Sequence, residues 1–101
     1  MSNRFESKIV IVTGAASGIG EKTAIKFANE GAKVVVADIN KETGNIVVEK
    51  IKKDNGEALF VETNVAEFIS VDNMVSQTLD TFGIPDVLVN NAGINVFGEP
   101  L

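Results

Sequence analysis

The sequence predicts an α/β fold, a partial doubly wound sheet of four parallel strands in the order 3-2-1-4 with three helices. Three observations predict it. Val/Ile-rich runs alternate with segments of helical spacing, and such alternation wraps helices around a parallel sheet. The first run leads directly into a glycine-rich turn, Thr13-Gly14-Ala15-Ala16-Ser17-Gly18-Ile19-Gly20, which opens a helical pattern. An acid, Asp38, ends the second run, 18 positions after Gly20. Right-handed crossovers and a turn of this kind after the first strand set the strand order.

Lys8 to Thr13 reads as a buried strand rich in Ile and Val. Gly18 to Asn29 reads as a helix stopped by Gly31 at its C′ position, with Ile19, Ala24, Phe27 and Ala28 facing the sheet. Lys33 to Asp38 is a second buried strand. Asn40 caps a helix running to about Asp54, with Val47, Val48 and Ile51 inward and Gly44 as a weak point. Asn55-Gly56 ends it. Ala58-Leu59-Phe60-Val61 forms the third strand within Glu57 to Val65. Ser70 is the expected cap of a third helix, whose inward positions are Val71, Met74, Val75, Thr78 and Phe82. Gly83 and Pro85 end that helix, and Asp86 to Asn90 is the fourth strand. The rest, 94–101 included, reads as a loop tail.

The strand order puts the first two helices on one face and the third alone on the other. An apolar gap near strands 1 and 4 follows. Strand 4, with Val87, Leu88 and Val89, is an open edge suited to self-association.

With 101 residues the chain is one domain, and 45% hydrophobic residues fit a globular one. A net charge of −5 argues against nucleic acid or an anionic membrane as partner. The chain has no Cys and no His, which leaves no metal set of the zinc type. The N-terminus lacks an apolar signal segment, and the apolar runs are too short to span a bilayer. A cytoplasmic location is the default expectation.

The glycine-rich segment has the build of a pyrophosphate cradle. Gly14 permits the tight turn. Gly18 and Gly20 let the backbone approach a phosphate and the helix approach the sheet. Ser17 and Ile19 offer backbone N–H groups at a helix N-terminus, whose dipole favours an anion. The alternative is a plain glycine turn with Ser17 as a cap. Asp38 is placed to accept hydrogen bonds from the ribose hydroxyls of an adenosine, contributing about 1.5–3 kcal/mol. Its charge repels a 2′-phosphate. With Ile39 and Asn40 neutral and Lys41 the only local cation, the pattern favours NAD over NADP. The alternative for Asp38 is a loop or capping role.

Thr13-Gly14-x-x-x-Gly18-Ile19-Gly20, together with Asn90-Asn91-Ala92-Gly93 after the fourth strand, resembles the N-terminal half of a short-chain dehydrogenase/reductase. The resemblance runs from about Phe5 to Phe97. It implies a single Rossmann-type NAD-binding domain over 1–101. Gly14, Ser17, Gly18, Ile19 and Gly20 are then implied at the phosphates and adenosine side, with Asp38 and Ile39 beside the adenosine ribose. Asn64 and Val65 fall where the family usually has Asp-Val beside adenine. Asn64 departs from that pattern, and a turn role is its alternative. Asn90, Ala92 and Gly93 are implied near the nicotinamide-side ribose. Asn90 also reads as a structural amide that ties neighbouring strands.

In that family a Ser and a Tyr-x-x-x-Lys on the next strand and helix carry the chemistry. This chain contains no Tyr, and no catalytic residue is nominated. The expectation is the NAD(H)-binding portion of an enzyme that moves hydride between nicotinamide and an alcohol or carbonyl. The alternatives are a standalone nucleotide-binding module and a non-binding remnant.

Overall fold

The computed structural model describes residues 4–91. The elements are β1 (Ile9–Thr13), α1 (Gly18–Asn29), β2 (Lys33–Asp38), α2 (Lys41–Lys53), β3 (Glu57–Glu62), α3 (Phe68–Thr81) and β4 (Val87–Asn90). The sheet is four-stranded and parallel in the order β3-β2-β1-β4, as the sequence predicts. The pairings Thr13↔Ala37, Asp38↔Glu62 and Thr13↔Asn90 bring the carboxyl ends of all strands to one edge.

The two faces are built differently. Val10, Val12, Val34, Val36 and Ala58 pack against Ala24 of α1 and Val47, Val48 and Ile51 of α2. Ile11, Val35, Ala37 and Val61 face the other way, against Met74 of α3. Alternation along a strand sends neighbouring residues to opposite faces. Each of these Val/Ile strands therefore feeds both layers.

Four expectations need correction. Ile19 does not face the sheet; it is 76% exposed. The inward stripe of α1 runs through the buried Gly20 and Ala24 to the half-buried Phe27 and Ala28. Residues that share a helix face are three or four apart, so Ile19 lies off that stripe. Ser70 does not cap α3, because the helix begins at Phe68 with Glu67 as the N-cap residue. The Ser70 hydroxyl instead accepts from the Asn64 backbone N–H at 2.8 Å. The apolar gap is confined to strand 4. Leu88 is 59% exposed, whereas its neighbour in register, Ile11, is 2% exposed. Phe82 packs into the Ile11 cluster, and the Gly83 turn lies beside Ile9. Gly44, finally, is no mere weak point in α2. It is buried, and a Cβ there would run into the Phe60 ring of β3.

The Asn40 cap forms as expected, its side chain accepting from the Thr43 N–H at 3.1 Å. At the amino edge of the sheet, Arg4 Nε donates to Glu30 Oε1 at 3.2 Å, and Lys26 lies 3.5 Å from the same carboxylate. The Arg4 hydrogen bonds, helped by both positive charges, hold the Glu30 carboxyl below its usual range. No described helix is long and apolar enough to cross a membrane.

Candidate dinucleotide site

The turn after β1 exists because two glycines take backbone angles closed to most residues. Gly14 has φ 65° and Gly18 φ 58°. Gly20 serves a different need: a Cβ there would collide with the Gly14 carbonyl and the Ala15 backbone. The helix start is thereby pulled onto the strand end. Beside Gly18 the space is open on the side where a Cβ would stand. Ser17 is the N-cap of α1, yet its side chain makes no capping hydrogen bond. The plain-cap alternative for Ser17 thus lacks the bond that defines a cap. The result is a bare helix N-terminus behind an uncluttered glycine turn.

Asp38, the last residue of β2, is tied to this turn. Its Oδ2 accepts from the Ala16 N–H at 3.0 Å, and its Oδ1 accepts from the Asn40 N–H at 2.8 Å. Its backbone carbonyl accepts from the Thr63 N–H at 2.9 Å. One residue therefore joins the ends of β1, β2 and β3. Each carboxylate oxygen carries a single one of these bonds, and a carboxylate offers about four acceptor sites. Two remain for donors arriving from the cleft.

That cleft has a volume of about 180 Å³ and is lined by Gly14, Asp38, Ile39, Thr63, Asn64 and Val65. Ile39 is 64% exposed and Val65 40% exposed. Both apolar side chains line the cleft. A more polar groove adjoins it, lined by Ile39, Glu62, Asn64, Glu67, Ser70, Asn73 and Gln77.

Asn90 lies across β1 from the cleft. Thr13 Oγ1 donates to Asn90 Oδ1 at 3.0 Å, so the structural alternative for Asn90, a tie between strands, is realised. Beside it, Asn91 Nδ2 is buried with no acceptor among the described residues. Ala92 and Gly93, with the tail at 94–101, lie outside the described residues.

The structure thus gathers Gly14, Ser17, Gly18, Gly20, Asp38, Ile39, Asn64 and Val65 at the carboxyl edge of the sheet. Ile19 sits at the same helix start with its side chain outward. In open α/β sheets this edge is where ligands bind. Sequence reasoning missed the Ala16 N–H that clamps Asp38 and the Ser70 hydroxyl that supports Asn64. The first joins segments 22 residues apart, and the second spans a six-residue turn in which Ser70 also has the chemistry of a helix cap. Among the described residues no group of His, Cys, Asp or Glu could hold a metal ion.

A family profile described as short chain dehydrogenase matches residues 8–100. This chain belongs to the short chain dehydrogenase family. An uncharacterized oxidoreductase of Thermotoga maritima is 49% identical over 94% of the chain. The chain spans 37% of that relative's length. A hydroxysteroid dehydrogenase from Escherichia coli, 37% identical, superposes with a TM-score of 0.85 over 86% of this chain and 37% of its own. A 7α-hydroxysteroid dehydrogenase solved with NADH and 7-oxo glycochenodeoxycholic acid matches with a TM-score of 0.85 at 36% identity. That match covers 88% of this chain and 35% of the other.

Proposed function

We propose that this chain binds NAD(H) at the carboxyl edge of its sheet, as the cofactor-binding portion of an oxidoreductase. One observation carries the reading. The Asp38 carboxylate is fixed beside a bare glycine turn, with acceptor sites left toward the cleft. Residues of this kind fit a dinucleotide: an open turn at a helix N-terminus for the pyrophosphate, a carboxylate for a ribose diol, and apolar side chains in the cleft for a purine.

In this reading the backbone N–H groups of Ser17 and Ile19 face the pyrophosphate. Asp38 accepts from the adenosine ribose, and Ile39 and Val65 sandwich the adenine beside Asn64. Asn90 holds β4 against β1, and the family resemblance assigns Ala92 and Gly93 to the nicotinamide side. The bound nicotinamide supplies hydride transfer to or from an alcohol or carbonyl carbon. The chain's own residues bind and orient; with neither Tyr nor His present, none is assigned a proton transfer. The Asp38 charge opposes a 2′-phosphate, which makes NAD the preferred cofactor.

NADH titrated into isotope-labelled protein tests this reading. Saturable shifts are expected at the amides of Ser17, Ile19, Asp38 and Asn64. Shifts scattered over the surface, or none, would contradict it.

A further inference from the structure

Asn55, just past the end of α2, takes a backbone conformation that few residues adopt. Its φ is 67°, in the left-handed region, which asparagine tolerates better than most side chains. Its N–H donates to the Lys52 carbonyl at 3.0 Å, and the Gly56 N–H donates to the Ile51 carbonyl at 2.9 Å. With Asp54 as the C-cap, these are the two bonds of a Schellman turn. A Cβ on Gly56 would stand 2.7 Å from Ile51 Cγ2 and 3.0 Å from the Ile51 carbonyl oxygen. The turn therefore favours asparagine or glycine at 55 and requires glycine at 56. No other asparagine of the chain precedes a glycine. This pair has a chemistry of its own. The side-chain amide carbon lies within ring-closing reach of the next backbone nitrogen, and glycine puts no Cβ in the way.

We propose that Asn55 is a modification site, at which the side-chain amide is lost to water when the Schellman turn opens. The Gly56 nitrogen bonds to Asn55 Cγ and the Cγ–Nδ2 bond breaks. Ammonia leaves with the proton that the Gly56 nitrogen gives up. Water then opens the cyclic imide at one carbonyl or the other, which leaves aspartate or isoaspartate. Nothing is oxidised or reduced. Asn55 is exposed, so water reaches it. The restraint in the folded chain is the Gly56 N–H, because the proton that must leave is the one bonded to Ile51. Fraying of the last turn of α2 frees that proton, and helix ends open more readily than cores.

The products do not fit the turn that made them. Isoaspartate adds a carbon to the main chain just before Gly56. That displaces the Gly56 N–H from Ile51 and shifts the start of β3, where Glu57 pairs with Lys33. Aspartate puts a second carboxylate beside Asp54 at a helix C-terminus, the end whose dipole disfavours it. Either product loosens the joint between α2 and β3, at the edge of the sheet opposite the dinucleotide cleft.

The test incubates the chain at mildly alkaline pH, folded and in guanidinium chloride, then cuts it after glutamate. The fragment 50–57 holds Asn55 as its only asparagine. A gain of one mass unit and a split into two chromatographic peaks report the conversion. Conversion is expected in both states, at least about tenfold more slowly in the folded chain. Once the denaturant is removed, the converted chain is expected to melt at a lower temperature than the untreated one. Asn55→Gly keeps the left-handed turn and has no amide to lose, so the same treatment should leave its melting temperature unchanged. No conversion in denaturant would overturn the site. Equal rates in the two states would overturn its masking by the turn. An equal fall in melting temperature in Asn55→Gly would overturn the structural consequence.

Discussion

The two ends of the sheet handle charge in opposite ways. At the amino end, charged groups are used up internally. Glu30 is held by Arg4 and Lys26. Asp86 accepts from the Ile9 N–H at 2.8 Å, while its own N–H donates to the Ile9 carbonyl at 2.8 Å. At the carboxyl end, Asp38 is held by two backbone N–H groups, and the residues about it open onto a cleft. The first arrangement closes the sheet. The second leaves a carboxylate lining a cleft, with no side-chain cation bonded to it among the described residues. A single chain thus separates a stapled end from a receptive end, and the difference lies in the partners given to each acid.

The largest expected effect comes from breaking the receptive end at its backbone. Gly20→Ala drives a Cβ into the Gly14 carbonyl and the Ala15 backbone. Forced overpacking costs about 1–3 kcal/mol or more. The turn must open, and dinucleotide binding is expected to vanish together with the loss of stability. Thermal melts and an NADH titration check both. Gly44→Ala, which pushes against the Phe60 ring instead, is expected to lower stability while the folded fraction still binds. Equal losses of binding in the two variants would erase the distinction between site and scaffold.

Asp86→Ala acts at the stapled end. It removes the acceptor of the Ile9 N–H and is expected to lower stability by about 1 kcal/mol, read by urea melts. The NADH affinity of the folded protein should not change.

A smaller effect is expected from pH. The Glu30 carboxyl is held below its usual range, so its contribution is present above the unfolded-state pKa. It is lost as pH falls through the lowered folded-state value. Melts between neutral pH and the acid side of the ordinary Glu pKa, about 4.3, should show a decline that is shallower in Arg4→Ala. Identical pH profiles in the two proteins would remove Glu30 from the account.

Most of the fold was legible because its signals are local. Gly18 to Asn29, the Asn40 cap and the Val/Ile strands each declare themselves within a few residues. Strand order followed from crossover handedness and the position of the glycine turn. What escaped depends on how the turns and elements pack in three dimensions. Ile19 is apolar and reads as inward, but the stripe that meets the sheet runs through Gly20 and Ala24 and leaves Ile19 76% exposed. Ser70 had the chemistry of a cap, but the Asn64 N–H claimed it. Gly44 looked like a flaw until Phe60, on another strand, explained it. At the site, the residue types of Asp38 and Asn64 were readable, whereas the orientation of each depended on the amides of Ala16, Asn40 and Ala66.

The central claim is that Asp38 makes the carboxyl end a site for NAD(H). NADH and NADPH titrated into the chain and into Asp38→Ala, followed by nicotinamide fluorescence, test it most directly. The account expects saturable binding with NADH favoured by at least about tenfold, a difference of ~1.4 kcal/mol. In Asp38→Ala, NADH should weaken and the preference should disappear. Tighter binding of NADPH by the unaltered chain, or a preference unaffected by Asp38→Ala, would contradict it.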